Sequence, residues 1–450
     1  MSKAVREDMT SSDPSAQLRR EPMSSFQIVA VAICVALNAL DGFDILAITF
    51  AGPGITREWG LGPGGLGIVI STGLVGMSVG SLLLAPLADS LGRRPIILLC
   101  LILMTAGMLL SATADDVIAL SIWRIVTGLG IGGMLASINA MVAEYSNDAR
   151  RDFCVSLMTI GYPLGGVLGG MAAAWLLREF DWRSVFVFGG AVSIVILVVV
   201  WWRLPESIEF LMFKRSPDAL ERVNVLLRRM GRSSISEMPA RAQQPRMNVW
   251  AAFDKPLVTQ TALICAAYFL YMMTCYYVLG WIPSIVTSLG FTASVGAEVS
   301  VWTNLGGIIG GALLGYLARH INLKPLASGA MLLTALSLAV FGRTQPDLFA
   351  LKAVAFVLGW FLYSSAVGFY ATFVRVFPTH LRATGTGLAI GLGRFGGMLG
   401  PVLGGWLMAA GTSRPSVAAI MALGAALSAM SIWLIGGSML AAPPRLAPSR

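Results

Sequence analysis

The sequence predicts an all-α integral membrane protein with twelve transmembrane helices in two six-helix bundles. Three observations lead there. Of 450 residues, 56% are hydrophobic and only 12% charged, about half the charged share of a soluble domain. Twelve apolar runs approach the roughly 20 residues that cross about 30 Å of hydrocarbon. Finally, Lys and Arg collect in alternate connections between those runs, the pattern that sets orientation in a bilayer.

The elements follow in chain order. Residues 1–25 form a polar tail without the charged-apolar-small pattern of a cleaved signal, so the first apolar run is read as a retained helix. Six runs fall near 26–50, 66–88, 95–113, 117–140, 153–177 and 183–203, together a first bundle over 26–203. A polar central stretch at 204–256 carries nine Lys/Arg and six Asp/Glu. Six further runs, near 257–281, 294–318, 324–341, 348–373, 383–409 and 415–436, make a second bundle over 257–436, followed by a tail at 437–450.

With the N-terminus in the cytoplasm, only Arg57, Arg178, Arg183, Arg343, Lys352 and Arg414 fall on the opposite side. Arg124 and Arg394 lie inside spans, and every other Lys or Arg is cytoplasmic. An even number of spans then places both termini and the central stretch in the cytoplasm of a bacterial-type inner membrane. The net charge of +9 therefore reports topology and not nucleic acid, which needs a basic face on a folded domain. The five cysteines, Cys34, Cys100, Cys154, Cys265 and Cys275, sit in or beside apolar runs without metal-ligand spacing, which reads as buried, inert thiols. Neither a metal, a cofactor nor a catalytic cluster is expected, so the chain reads as no enzyme.

The two halves repeat at a shift of 230–231 residues. Asp89-Ser-Leu-Gly-Arg-Arg-Pro95 falls on Arg319-His-Ile-Asn-Leu-Lys-Pro325, and Pro163-Leu-Gly-Gly-Val-Leu-Gly-Gly170 on Arg394-Phe-Gly-Gly-Met-Leu-Gly-Pro401. Both members of each pair have the same topology, as in a parallel repeat about an axis along the membrane normal. Leu87-Ala-Asp-Ser-Leu-Gly-Arg-Arg-Pro95 resembles the signature loop of the major facilitator superfamily, and Pro205-Glu-Ser207 after the sixth span is similar to that superfamily too. More narrowly, Asp41-Gly-Phe-Asp44 resembles the DGxD motif of the aromatic acid:proton symporters, as does Gly393-Arg-Phe-Gly-Gly397 in the eleventh span. Ser90 stands where that loop usually has a basic residue, and Arg319 replaces the acid in its second copy. The resemblance implies the major facilitator fold and symport of protons with an aromatic carboxylate such as 4-hydroxybenzoate, protocatechuate or gentisate.

Ionisable side chains inside spans cost a few kcal/mol each on insertion scales and so need a partner or a task. Asp41 and Asp44 are three apart, on one helix face. At 1.5 Å per residue Asp41 lies roughly 22 Å into its span, and Arg124 lies about 10 Å in from the other end of the fourth. Two readings stand: one carboxylate carries a coupled proton while Arg124 tunes it or binds substrate, or an Asp–Arg ion pair simply ties the two spans together. Histidine is no competitor, because His320 and His380 both fall in predicted loops. Arg394, roughly 16 Å into the eleventh span, has no acid predicted near its depth. Its planar fork suits a substrate carboxylate; the other reading bonds it to backbone carbonyls at a glycine-rich kink.

Asp89, Arg93, Arg94, Glu144, Asp148, Arg150 and Arg151 all fall at the cytoplasmic ends of the first bundle, with Arg375 and Arg382 at matching positions of the second. They read as a charged gate or as a solvated loop. Tyr271 takes the repeat position of Asp41, so it is expected to face the same substrate cavity, though bundle cores use tyrosine as well. The glycine runs follow no strand and open no βαβ unit, so they are packing and sliding elements and not nucleotide sites. Together these features predict a transporter, working as a monomer in the lipid bilayer with no nucleic-acid partner, which takes up an aromatic carboxylate with protons by rocking of two bundles. The rivals are a same-fold carrier of another organic anion, a sugar or a drug, and a membrane sensor without flux.

Overall fold

The computed structural model describes residues 14–239, 257–377 and 381–435. His380, residues 1–13 and 240–256, and the tail at 437–450 lie outside the described residues. The described chain is helical throughout: α1 (Pro14–Arg20), α2 (Ser25–Trp59), α3 (Pro63–Leu83), α4 (Leu87–Leu91), α5 (Arg93–Ala112), α6 (Val117–Tyr145), α7 (Arg151–Glu179) and α8 (Arg183–Arg203) come first. The central stretch adds α9 (Ile208–Lys214) and α10 (Ala219–Arg229). The second half supplies α11 (Val258–Ser288), α12 (Ala293–Leu317), α13 (Leu323–Arg343), α14 (Leu348–Val376), α15 (Arg382–Ala409) and α16 (Arg414–Leu434). Twelve of these are long, and each overlaps one predicted run, although the run at 66–88 continues past the end of α3 at Leu83. Ten are long and apolar enough to cross a membrane; the other two, α12 and α15, are rich in glycine.

Helix ends differ from the apolar runs because a helix continues wherever its backbone can, while hydropathy stops at the hydrocarbon edge. Thus α2 runs to Trp59 and not to residue 50, its 35 residues spanning about 52 Å. Proline opens α3, where a missing N–H leaves nothing unsatisfied. In α10 the buried Val223, Leu226 and Leu227 form a single stripe, with Arg222, Arg228 and Arg229 on the exposed face.

The sequence repeat has a structural counterpart. Asp116 caps α6 by accepting from the Ala119 amide at 2.7 Å, and Asp347 caps α14 by accepting from Ala350 at 2.8 Å. Gly76 and Gly80 of α3 sit against the backbone carbonyls of Ile125 and Leu129 of α6, just as Gly306 and Gly310 of α12 sit against those of Phe356 and Trp360 of α14. Likewise Gly165 rests on the Ala39 carbonyl and Gly396 on that of Phe269. At each seat a side chain would strike backbone, so the same helix pairs close at the same points in both halves.

The described residues fall into two compact units. One comprises Met1–Ile45, Val75–Gly165 and Arg183–Pro245; the other comprises Leu46–Leu74, Gly166–Trp182 and Arg246–Arg450. The first is organised around α5 packed on α6 and α8, the second around α12 on α14, α11 on α15 and α13 on α16. The second unit therefore takes in the last part of α2, the start of α3 and the end of α7, which belong to the first half by sequence.

Candidate functional site

In the first unit α2 carries Asp41 and Asp44 into the protein, 2% and 0% exposed. None of their four carboxylate oxygens meets a hydrogen-bond donor among the described residues. Gly189 of α8 makes room beside them: a side chain there would lie 2.8 Å from the Phe43 ring and 3.5 Å from the Asp44 carboxylate.

Arg124 of α6 is 1% exposed and is held from three directions. Its Nη2 donates to the Asp44 backbone carbonyl at 2.7 Å, its Nη1 donates to the Met108 sulfur at 3.3 Å, and its Cζ lies 5.7 Å from the centre of the Phe186 ring. The guanidinium thus grips the main chain of α2, and its hydrogen bond at Asp44 goes to the backbone carbonyl and not to the carboxylate. A helical carbonyl has a second lone pair after serving its own ladder, and Arg124 uses it. The result is a buried cation held on the main chain of α2, beside carboxylates that meet no donor among the described residues.

In the second unit Arg394 lies half-buried on α15, next to Gly393, whose missing side chain admits the Tyr268 ring. Tyr271 is a core residue in this structure. Its ring packs 5.1 Å from Phe369 and 6.1 Å from Tyr268, and its hydroxyl donates to the Leu362 carbonyl at 2.8 Å. The expected exposure to a cavity is not seen, because α14 supplies both an aromatic wall and an acceptor.

The predicted cytoplasmic charges are brought together in part. Arg93 pairs with Glu144 and also donates to the Ser207 hydroxyl at 3.3 Å, while Ser207 donates to Glu144 at 2.5 Å. Arg94 donates to the Trp201 carbonyl at 2.6 Å. Asp89 and Arg151 stay exposed, Arg375 donates to the Ala318 carbonyl at 3.2 Å, and Arg382 is half-buried. Sequence reasoning gave no role to Glu206. One oxygen of its carboxylate accepts the amides of Ser207, Arg93 and Arg94 at 2.8, 3.0 and 3.2 Å, and Tyr145 donates to its backbone carbonyl at 2.6 Å. The signal was present in Pro205-Glu-Ser207 directly after a span: the first amides of a helix lack intrahelical partners, and an acid on a loop that folds beside them can serve them.

Within the second unit, α3, α7, α11, α12 and α15 close on one another through hydroxyl, indole, guanidinium and backbone groups. Ser294 of α12 donates to the Ala174 carbonyl at 2.5 Å and accepts from Arg178 at 3.2 Å. Ser71 donates to the Met398 carbonyl at 2.8 Å, and the Trp281 indole to that of Pro401 at 3.1 Å. Gly67 faces that same Pro401 oxygen, where a side-chain carbon would lie 2.5 Å away. Sequence gave no warning of this seam, since serine, glycine and a backbone carbonyl look like ordinary packing. Among the described residues no group of His, Cys, Asp and Glu is arranged to hold a metal.

Comparison with known proteins bears directly on this architecture. The chain is 27% identical to a gallate transporter of Pseudomonas putida over 94% of this chain and 95% of that one. It is 28% identical to the 4-hydroxybenzoate transporter PcaK of Pseudomonas aeruginosa, covering 94% and 96%. Its fold superimposes on the xylose transporter XylE from E. coli, in a partially occluded inward-open conformation, with a TM-score of 0.72 at 16% identity over 92% of this chain and 98% of that one. The family model described as Major Facilitator Superfamily matches residues 31–306 and 264–449. Nearly the whole chain is covered by that match, and it belongs to the Major Facilitator Superfamily: it is a multi-pass membrane transporter and not an enzyme.

Proposed function

We propose that the protein is a proton-coupled symporter that imports an aromatic carboxylate of the hydroxybenzoate type by alternating access. The observation that carries the reading is the pair of buried carboxylates, Asp41 and Asp44, that meet no donor among the described residues, in a chain whose relatives are named for gallate and 4-hydroxybenzoate. A bare carboxylate anion inside a membrane costs a few kcal/mol on insertion scales. Proton binding removes that charge, so protonation at Asp41 or Asp44 changes which conformation is cheapest.

In this reading Arg124 fixes α2 at Asp44 and keeps a positive charge beside the proton site. Arg394 binds the substrate carboxylate through its planar fork, and aromatic side chains of the second half stack on the ring. Arg93, Arg94, Glu144 and Glu206, with Asp89, Arg151, Arg375 and Arg382 around them, form the cytoplasmic gate. The seam around Ser294 and Gly67 is the periplasmic closure. The protein sits in an inner membrane with both termini in the cytoplasm, as bundles at 26–203 and 257–436 joined by the central stretch at 204–256, and works as a monomer.

The test is uptake of labelled 4-hydroxybenzoate, gentisate and protocatechuate into proteoliposomes, with and without an inward proton gradient. Accumulation that collapses on adding a protonophore is the expected result. Downhill uptake indifferent to the gradient would remove the coupling, and no uptake of any of the three would remove the substrate class.

A further inference from the structure

The geometry points to a binding site for an anionic phospholipid headgroup where α5 begins, α8 ends and α9 folds beneath them. Three exposed or half-exposed cations gather there: Arg94 at the start of α5, Arg203 at the end of α8 and Lys214 at the end of α9. Contacts make the patch continuous. Arg94 donates to the Trp201 carbonyl at 2.6 Å, and Lys214 donates to the Ser90 carbonyl at 3.1 Å. Lys214 also lies 5.5 Å from the centre of the Phe210 ring, whose edge approaches within 3.1 Å of where a side chain on Gly92 would stand.

The apolar half of the site surrounds these cations. Trp201 and Trp202 are 61% and 75% exposed at the end of a candidate span, and Leu91 and Phe213, chain neighbours of Ser90 and Lys214 respectively, are exposed as well. Tryptophans at a span end mark the depth of the lipid headgroups, where an indole lies against acyl chain and carbonyl together. The nearby acids do not neutralise the patch. The Glu206 carboxylate is spent on three amides and Glu144 is paired with Arg93. Glu209 of α9 is paired with Arg19 at 3.5 Å, so the exposed Asp89 is the acid that stands against the three cations without such a pairing. A phosphodiester anion with its acyl chains along α5 and α8 complements both halves, whereas a soluble anion would use only the charges.

The full-length protein, purified in a neutral detergent, is titrated with phosphatidylglycerol, phosphatidylcholine or glycerol 3-phosphate, and retained lipid is counted by native mass spectrometry. Each surface cation contributes on the order of fivefold to binding of an anionic lipid. Phosphatidylglycerol should therefore be retained selectively, and Arg203→Gln with Lys214→Gln should weaken its retention by roughly 25-fold. The control pair, Arg228→Gln with Arg229→Gln on the exposed face of α10, removes the same charge elsewhere and should leave retention intact. Equal loss in both pairs, equal retention of phosphatidylcholine, or occupancy by glycerol 3-phosphate as strong as by the lipid would each overturn the assignment. The outcome is independent of whether aromatic acids are transported.

Discussion

Gly92 and Glu206 act as one device, which can be tested by breaking it in two ways. Gly92 has φ 110° and ψ 154°, a region essentially closed to other residues, so Gly92→Ala carries strain of about 1–3 kcal/mol. Its new side-chain carbon would also stand 2.5 Å from the second Glu206 oxygen, forcing the carboxylate away from the amides of Ser207, Arg93 and Arg94. Hydrogen bonds to a charged acceptor contribute roughly 1.5–3 kcal/mol each. Three amides sharing one oxygen do not sum, so about 2 kcal/mol is at stake. The expected loss is therefore about 3–5 kcal/mol for Gly92→Ala and about 2 kcal/mol for Glu206→Leu, which takes away the accepting oxygen. Because both remove the same bonds, the double variant should lose about 1–2 kcal/mol less than the two added together. Equilibrium unfolding in mixed micelles, followed by tryptophan fluorescence, measures all three. Strict additivity would refute the idea that the glycine exists to seat the carboxylate, as would a Gly92→Ala protein of full stability.

Three further outcomes are expected. Asp41→Asn should abolish accumulation driven by a pH gradient while the protein still inserts and folds; full gradient-driven uptake would take Asp41 out of the coupling. Ser294→Ala removes one donor and the acceptor for Arg178, worth about 1–3 kcal/mol to the closed seam, so an added cysteine near Ala174 should react faster with an impermeant thiol reagent. An unchanged labelling rate would mean that the seam is held elsewhere. Tyr271→Phe removes the hydrogen bond to the Leu362 carbonyl and should lower stability by about 1 kcal/mol with KM unchanged, whereas a raised KM at full stability would return Tyr271 to the substrate site.

The spans were legible in the sequence because bilayer thickness imposes a length of apolar chain, and each predicted run overlaps a long helix. Their ends were not, since a helix that leaves the hydrocarbon keeps its backbone ladder, as α2 does through Trp59. The short α4, α9 and α10 escaped notice because a few turns of mixed composition give hydropathy nothing to detect. Asp41, Asp44 and Arg124 stood out as charges in apolar runs, and all three are buried within one unit. What Arg124 binds was illegible, because a backbone carbonyl carries no letter of its own. Glu206 was hidden for the same reason, its partners being three amides. The repeat set Tyr271 opposite Asp41 and pointed to a cavity, whereas its actual surroundings come from α14, which no local pattern foretells.

The duplicated glycine seats mean that this protein carries its own control. Scaffold features recur in both halves: Asp116 and Asp347 cap equivalent helices, and Gly76 and Gly306 seat equivalent crossings. The buried charges do not recur. Asp41 and Asp44 have Tyr271 and Thr274 as counterparts, Arg124 has Ala355, and Arg394 has Pro163. What the fold requires is therefore written twice and what one half alone does is written once, so subtracting one half from the other separates architecture from activity within a single sequence. Each singular residue comes with a matched neutral site at which the same substitution can be made as a reference.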